Sequence, residues 1–488
     1  MTALYQIENS NPILKLQEMM DYISNDALHQ QLHEVEGNLF KNLLQLGKIL
    51  LKNFIENKGT GNKDLLKNIE LPLHSIKPSK YLSIFGDIAI SRAYFWKKGK
   101  LGEFPLDKEL NLPKRHQSYL LDKWIQGGVA EGPYEDAINN IGDLLDLKLT
   151  KKVSQNVTLE ASKEVHRYYA QKTNFDNEGS HLVVQCDCKG VIMIPKERPE
   201  QLREGFIRRA KGVSKIGIRK DAVVTTDYSI NPISRDIQDV LDGLMNINSN
   251  KKKEKKRLPK KDNKPINKQV SGNMDGKENA FKNLADRIYI RDKTEQKKIY
   301  ILIDGASSLE TGFIKEFKKR GWESRVEAYC LDIVHATEYL WDASTALYGE
   351  TNPRRISWVR SSLLKLLLGK TLEVNNELAR KISSGRYSDF IVRRLQRSLT
   401  YFTNHIHMMD YKKYLDAGFP IASGAIEGAC NTLVKDRTDR SGMQWTKIGA
   451  QAVINLRSAK CNDDWESYWN YYIQNQFKEL YENNSLAA

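Results

Sequence analysis

The chain has none of the features that would bind it to a membrane or an oxidising compartment. No apolar run approaches the ~18 residues that span a bilayer, and Met1-Thr-Ala-Leu-Tyr-Gln-Ile-Glu8 has no basic-then-apolar export pattern. Cytoplasmic residence without a membrane partner is the expectation. Cysteine is scarce and odd in number (Cys186, Cys188, Cys330, Cys430, Cys461), with no C-x-x-C pair. That argues against a disulfide framework and a zinc ribbon. Cys186 and Cys188 read as small strand residues. Acidic residues are also in deficit: 61 Asp and Glu against 76 Lys and Arg leave a net charge of +15. A polyanionic partner is implied.

The excess charge is concentrated. Residues 251–268 (KKKEKKRLPKKDNKPINK) form one basic tract, and residues 353–413 form another in an arginine-rich helical region. The first reads as a solvated, disordered linker or as a flexible arm on DNA phosphates. The second carries Arg393, Arg394 and Arg397 on a helix, a better placement for contact with phosphate.

Against this basic background, three acids stand out. Ile299-Tyr-Ile-Leu-Ile-Asp304-Gly305 is an unbroken apolar run ending in a carboxylate. Such a run predicts a strand buried on both faces, where an unpaired acid is costly. Asp304 therefore sits at the strand end, either capping the next turn or holding a metal. His181-Leu-Val-Val-Gln-Cys-Asp187-Cys-Lys-Gly-Val-Ile-Met-Ile194 repeats the plan with Asp187 at its centre. In Gly424-Ala-Ile-Glu427-Gly-Ala-Cys430 the spacing is helical, so Glu427 projects from a first turn. Two strand carboxylates and one helix carboxylate form the ligand set of a two-metal phosphoryl-transfer site, with two Mg²⁺ ions (Mn²⁺ as substitute) as cofactors. Each acid lies more than a hundred residues from the next, so their convergence is a claim about topology. Asp332 competes with Asp304 for the second position, and the strand context favours Asp304. His335 would orient phosphate, or else bond Asp332 at a helix start. His405 and His407 read as packing residues, and Asp463 and Asp464 as a helix N-terminal pair.

The organisation expected is α+β and multidomain: a helical N-terminal DNA-binding region, then an RNase H-like mixed sheet core interrupted by an all-helical insertion. Residues 1–75 read as helices, with Leu32, Val35, Leu39, Leu43, Leu46 and Leu50 marking an apolar stripe. The stripe reads as ordinary core, with an oligomerisation helix as the other reading. Residues 76–115 hold a β-hairpin joined at Gly86-Asp87. Residues 116–177 contain a helix-turn-helix layout in which Lys151, Lys152 and Gln155 would face a DNA groove. The core runs over 178–335, with a flexible basic tract at 248–272. A helical insertion follows at 336–418, the rest of the core with Glu427 at 419–460, and a C-terminal helix at 461–488. Arg437 and Arg440 are candidates for phosphate contact. Trp445 either stacks on an extruded base or belongs to the core.

At these residues the chain resembles bacterial insertion-sequence transposases of the ISKra type, which carry an Asp-Asp-Glu catalytic core. The matching stretches lie between about Phe85 and Trp469. They are Phe85-Gly-Asp-Ile-Ala-Ile-Ser-Arg-Ala-Tyr94, Asp187-Cys-Lys-Gly-Val191, Asn267-Lys268, Asp304-Gly-Ala306, Asp332-x-x-His335, and Ser423-Gly-Ala-Ile-Glu427 with Arg440-Ser-Gly-Met-Gln-Trp445. The resemblance implies that Asp187, Asp304 and Glu427 are metal ligands, and that His335 is kin to the x-x-His element of Mutator-like and hAT-like relatives. It implies double-stranded DNA, both transposon ends and target, as partner, a homo-oligomer (dimer or higher) on that DNA, and residence at the bacterial nucleoid. Two departures stand. Cys188 replaces a glycine common after the first acid. Trp96 to Phe104 also lacks the cysteines of a zinc-ribbon hairpin, so no structural zinc is expected.

Overall fold

The computed structural model describes residues 11–61, 71–173, 175–200, 218–247 and 264–482. Most of the lysine-rich tract (251–263) lies outside the described residues. The chain divides into two compact units: 1–164 with 465–488, and 165–464. The expected boundary at 177/178 thus falls inside the second unit.

In the first unit, Asn11 caps the N-terminus of α1 (Pro12–Ser24) by accepting from Ile13 N, and Pro12 occupies the first turn, where its missing N–H costs nothing. A capping box of Gln31 and Glu34 starts α2 (Leu32–Asn57). Asn38 of α2 bonds Tyr22 of α1 at 2.9 Å, and Ile55 and Leu51 pack onto the hairpin that follows. The leucine stripe expected to be core is not buried: Leu32 is 83% exposed, Leu43 53% and Leu50 51%. β1 (Leu73–Ser83) pairs antiparallel with β2 (Gly86–Phe95). The turn is Ile84-Phe85, two residues ahead of the Gly86-Asp87 junction expected, with Gly86 at φ +99 taking the positive angle.

After α3 (Pro105–Glu109), three helices pack together: α4 (Tyr119–Glu131), α5 (Tyr134–Leu145) and α6 (Lys151–Lys163). Asp146, left-handed at φ 52, ends α5. The buried Gln126 on α4 donates to Ser154 O at 3.1 Å and accepts from Thr158 Oγ1 at 2.6 Å, which fixes α6 against α4. The helix Trp465–Phe477 completes this unit, with Tyr468 bonding Ala161 O and Asn475 bonding Glu164 at 2.8 Å.

The second unit opens on α7 (Val165–Gln171) and is built on a five-stranded mixed sheet. Its members are β3 (His181–Ile192), β4 (Arg219–Ile230), β5 (Ile266–Asn273), β6 (Lys298–Ile303) and β7 (Val326–Leu331). The spatial order is β5-β4-β3-β6-β7. β4 runs antiparallel to both of its neighbours, β3 and β5, and β6 and β7 run parallel to β3. α8 (Ile237–Ile247) precedes β5, α9 (Lys277–Arg291) leads into β6, and α10 (Ser307–Lys319) connects β6 to β7. β5 is a correction. It occupies part of the stretch expected to be a flexible basic tract, yet Gln269 and Val270 are buried, and Asn462 Oδ1 receives Val270 N at 2.7 Å. On the neighbouring strand, buried Asp227 is held by Arg287 and Arg291 of α9, at 2.8 Å each.

The core is the sheet with the helices against it. Ile299 to Ile303 are each at most 1% exposed, as the unbroken apolar run requires. Past β7 the chain enters the expected helical block: α11 (Ile333–Tyr348), α12 (Arg354–Leu367), α13 (Thr371–Ser383), α14 (Asp389–His405) and α15 (Tyr411–Asp416). The excursion begins and ends at one point, because Ile333 N donates to Ile421 O at 2.9 Å. α16 (Gly424–Ala429) follows and continues as a π-helical stretch, Cys430–Lys435. α17 (Lys447–Cys461) closes the unit against β5. The described helices include none long and apolar enough to cross a membrane.

Candidate active site

Strand register decides where the first two acids meet. β3 and β6 are parallel neighbours with Gln185 level with Leu302. Asp187 lies two residues beyond that last pair on β3, and Asp304 two residues beyond it, one past the end of β6. Both are half-buried. Side chains alternate along a strand, so Gln185 and Asp187 share a face, and that face receives α16. Gln185 Oε1 accepts from Ile426 N at 2.9 Å, and Cys430 Sγ donates to Asp187 Oδ2 at 3.4 Å. Glu427 lies between these two anchors on an exposed turn. Burial, and next the charge of Asp187, push the Cys430 thiol pKa far up, so it stays a donor. The π-helical stretch begins at Cys430, and such irregular turns often accompany functional side chains.

The carboxylates differ in how far they are already satisfied. Asp187 Oδ1 accepts from Cys188 N at 2.6 Å, and Asp304 Oδ1 caps the next turn through Ala306 N at 2.9 Å. Asp304 Oδ2 and both Glu427 oxygens have no hydrogen-bond donor among the described residues. Asp332 is the opposite case. It is fully buried and accepts from Val334 N (3.0 Å), Ser423 N (3.2 Å) and the Ser423 hydroxyl. Burial raises its pKa, partly offset by the Ser423 bond. It ties the end of β7 and the start of α11 to the residue that precedes α16, and so it positions Glu427.

Among the described residues, Asp332, His335 and Glu427 offer ligand atoms within 4.8 Å of one another. Asp187, Asp304 and Glu427 do not form so tight a group. His335 Nε2 lies 3.9 Å from Asp332 Oδ2, and its Nδ1 3.5 Å from Glu338. At 3.9 Å His335 stands beside Asp332 without a hydrogen bond to it. Asp332, ranked behind Asp304, is the acid that forms this group with Glu427.

Two residues of the helical block reach the loop after Asp304. Tyr401 Oη donates to Asp304 O at 2.9 Å, and His405 Nε2 meets Gly305 O at 2.7 Å. Burial, and next Tyr339, push the Tyr401 phenol pKa up, so it remains a donor. Gly305 has φ +87, and a Cβ there would stand 2.8 Å from Leu331 and 3.0 Å from the Tyr401 hydroxyl. Only glycine fits both the angle and the space. Tyr339 stacks on Tyr401 with centroids 3.8 Å apart, and Arg397 lies 5.3 Å over Tyr339. The sequence reading of His405 as a packing residue missed this contact. Its one local signal is the Tyr401–His405 spacing of one helical turn.

The expected DNA-contacting residues divide. Arg393 and Arg397 are exposed on α14, whereas Arg394 pairs with Asp342. Arg440 is exposed. Arg437 is 1% exposed and lies 4.8 Å over Trp445, itself buried, with its indole N–H bonding Thr438 O. Trp445 also bridges backbone to backbone with Ile192 and Ile194 at the end of β3. Both side chains brace the segment behind Glu427 and offer no surface to a phosphate or a base, which corrects the expectation of phosphate contact for Arg437 and of base stacking for Trp445, whose other reading, a core residue, fits its burial. In the first unit, Lys151 and Lys152 are exposed on α6, Gln155 is half-buried, and Lys151 lies 3.2 Å from Glu135. Neither a family model nor a curated protein matches the chain, so its chemistry is argued from this geometry.

Proposed function

We propose that the chain is a DNA transposase of an insertion sequence, with an RNase H-like core that cleaves and joins DNA strands. The observation that supports the reading is the parallel pairing of β3 with β6, which ends two residues short of Asp187 and of Asp304, with the Glu427 helix docked on the Asp187 face through Gln185 and Cys430. The order β5-β4-β3-β6-β7, with acids on the central strand and its parallel neighbour, supports an RNase H-like core.

The donor set fits Mg²⁺, a hard cation that takes oxygen ligands: three carboxylates, two of them with oxygens unclaimed by any described donor. Bound there, two ions would neutralise charge on the scissile phosphate and acidify an attacking water. Asp187 and Asp304 would hold them from the sheet and Glu427 from the helix. Asp332 keeps Glu427 in place, and His335 stands where it would hydrogen-bond a phosphate oxygen. In cleavage, water oxygen bonds phosphorus and the P–O3′ bond breaks. In joining, the freed 3′-hydroxyl oxygen bonds a target phosphorus, and the target 3′ oxygen leaves. No covalent link to the protein is required. Arg393, Arg397 and Arg440, with Lys151 and Lys152, supply exposed cations for the DNA backbone.

The test incubates the purified protein with Mg²⁺, DNA carrying the element's terminal inverted repeats, and a target duplex. Cleavage followed by joined product supports the reading. Cleavage without joining makes the protein an RNase H-like nuclease, and binding alone makes it an inactive DNA-binding derivative.

A further inference from the structure

Asp227 and Asp292, both buried in the second unit, are neutralised by arginine: Asp227 by Arg287 and Arg291, Asp292 by Arg325. Asp332 is fully buried as well, yet among the described residues its only basic neighbour is the His335 imidazole. An interior carboxylate is held by a paired cation or by a metal. Oδ1 of Asp332 accepts two backbone N–H bonds, while Oδ2 accepts only the Ser423 hydroxyl. A carboxylate has about four acceptor positions, so the one left is on Oδ2. That is the oxygen 3.9 Å from His335 Nε2. Two ligands of one ion, each ~2.1 Å from it, stand up to ~4.2 Å apart, so the pair has the spacing of co-ligands. Behind the ring, Nδ1 stands 3.5 Å from Glu338. A carboxylate in that position orients an imidazole and leaves Nε2 to a metal. Glu427 completes the group, with all three ligand atoms within 4.8 Å of one another. It sits on an exposed turn with no hydrogen-bond donor among the described residues, which leaves it free to close on an ion.

We infer that Asp332, His335 and Glu427 form a site for one Zn²⁺ ion, separate from the all-carboxylate set proposed for Mg²⁺. One imidazole nitrogen with two carboxylate oxygens is a donor set that Zn²⁺ takes, whereas Mg²⁺ prefers oxygen throughout. The site has a consequence for the chemistry. It shares Glu427 with the proposed Mg²⁺ pair and occupies the His335 nitrogen that would meet a phosphate oxygen. Zn²⁺ bound there withdraws both side chains and inhibits Mg²⁺-dependent cleavage. That inhibition rests on the transposase reading; the binding itself does not.

Calorimetric titration of the full-length, metal-free protein with Zn²⁺ tests it. The wild type is expected to bind one ion tightly. His335→Ala is expected to weaken that binding by about 100-fold or more, since losing even a contact that supports a ligand costs about 10–100-fold. Its melting temperature without metal should hold, because the side chain is half-exposed. Asp187→Asn/Asp304→Asn should bind Zn²⁺ as the wild type does. Loaded with Mn²⁺ instead, this double variant should show coupling to an imidazole nitrogen in pulsed electron paramagnetic resonance, and the coupling should vanish when His335→Ala is added. A wild type that binds no Zn²⁺ overturns the proposal, as does His335→Ala binding with wild-type affinity. Equal loss in the double Asn variant and in His335→Ala would place the ion among Asp187, Asp304 and Glu427 and also overturn it. Absence of Mg²⁺-dependent cleavage, with Zn²⁺ bound as expected, would remove the transposase reading and leave this site standing.

Discussion

Strand β6 and helix α2 both carry a marked apolar pattern in sequence and are buried in opposite ways. Every residue from Ile299 to Ile303 disappears into the sheet, while α2 buries only Ile55 along 26 residues. The run on β6 is bounded by neighbours on both edges and both faces, so its apolar surface is used within the chain and leaves only Asp304 at the rim. The surface of α2 is used in part by α1 and the hairpin, and much of the remainder is exposed among the described residues. An apolar pattern states that a face must be covered, and does not state by which molecule.

The contrast can be broken first at the rim of β6. Asp304→Asn is expected to reduce Mg²⁺-dependent strand cleavage to background while the melting temperature holds, measured on a labelled repeat-end duplex. Ile301→Ala removes a fully buried side chain and is expected to cost ~2–5 kcal/mol in denaturant unfolding. The same truncation at exposed Leu43 should stay within ~0.5 kcal/mol of wild type in the isolated monomer. Tyr401→Phe deletes the hydroxyl that holds the Asp304 carbonyl. It should lower cleavage and Mn²⁺ affinity roughly tenfold, read by titration calorimetry alongside the kinetics.

The first unit carries one buried charge that sharpens the comparison further. Burial pushes the pKa of Asp122 from 3.8 up to about 7, against the lowering effect of its bond from Gln117. Its folded value lies above its unfolded one, so the folded state binds the extra proton. Stability from this group is full below about pH 4 and is lost as pH rises through about 7. Asp122→Asn should flatten that slope, followed as melting temperature between pH 4 and 8.

Much of this was legible in the chain itself. The run into Asp304, the strand around Asp187 and the helical spacing at Glu427 each correspond to an element, because local periodicity governs them. The helical block after Asp332 lies where composition placed it. β5 was not legible: Ile266-Asn-Lys-Gln-Val adjoins a lysine-rich tract and reads as part of it, and its pairing with β4 is non-local. His405 was taken as packing because its partner lies a hundred residues earlier and is a backbone carbonyl, which leaves no trace in side-chain pattern. Arg437 was placed at the surface on its charge alone, whereas a guanidinium over an indole is tolerated in the interior. The α2 stripe was assigned to the core since amphipathicity cannot distinguish cover by the same chain from cover by another.

The bond between Ile333 N and Ile421 O has a consequence for how such a chain can change. The whole helical block leaves and rejoins the sheet at a single doorway, so its length is decoupled from the spacing of the acids. The block is also packed into the core of the sheet, with Tyr414 edge-on to Tyr300 of β6 and its hydroxyl donating to Tyr329 O of β7, so a change of length is tolerated only where it spares these contacts and those of Tyr401 and His405 at Asp304-Gly305. Variation in the length of the block is therefore expected in its outward loops, where it leaves the positions of Asp187, Asp304 and Glu427 unchanged.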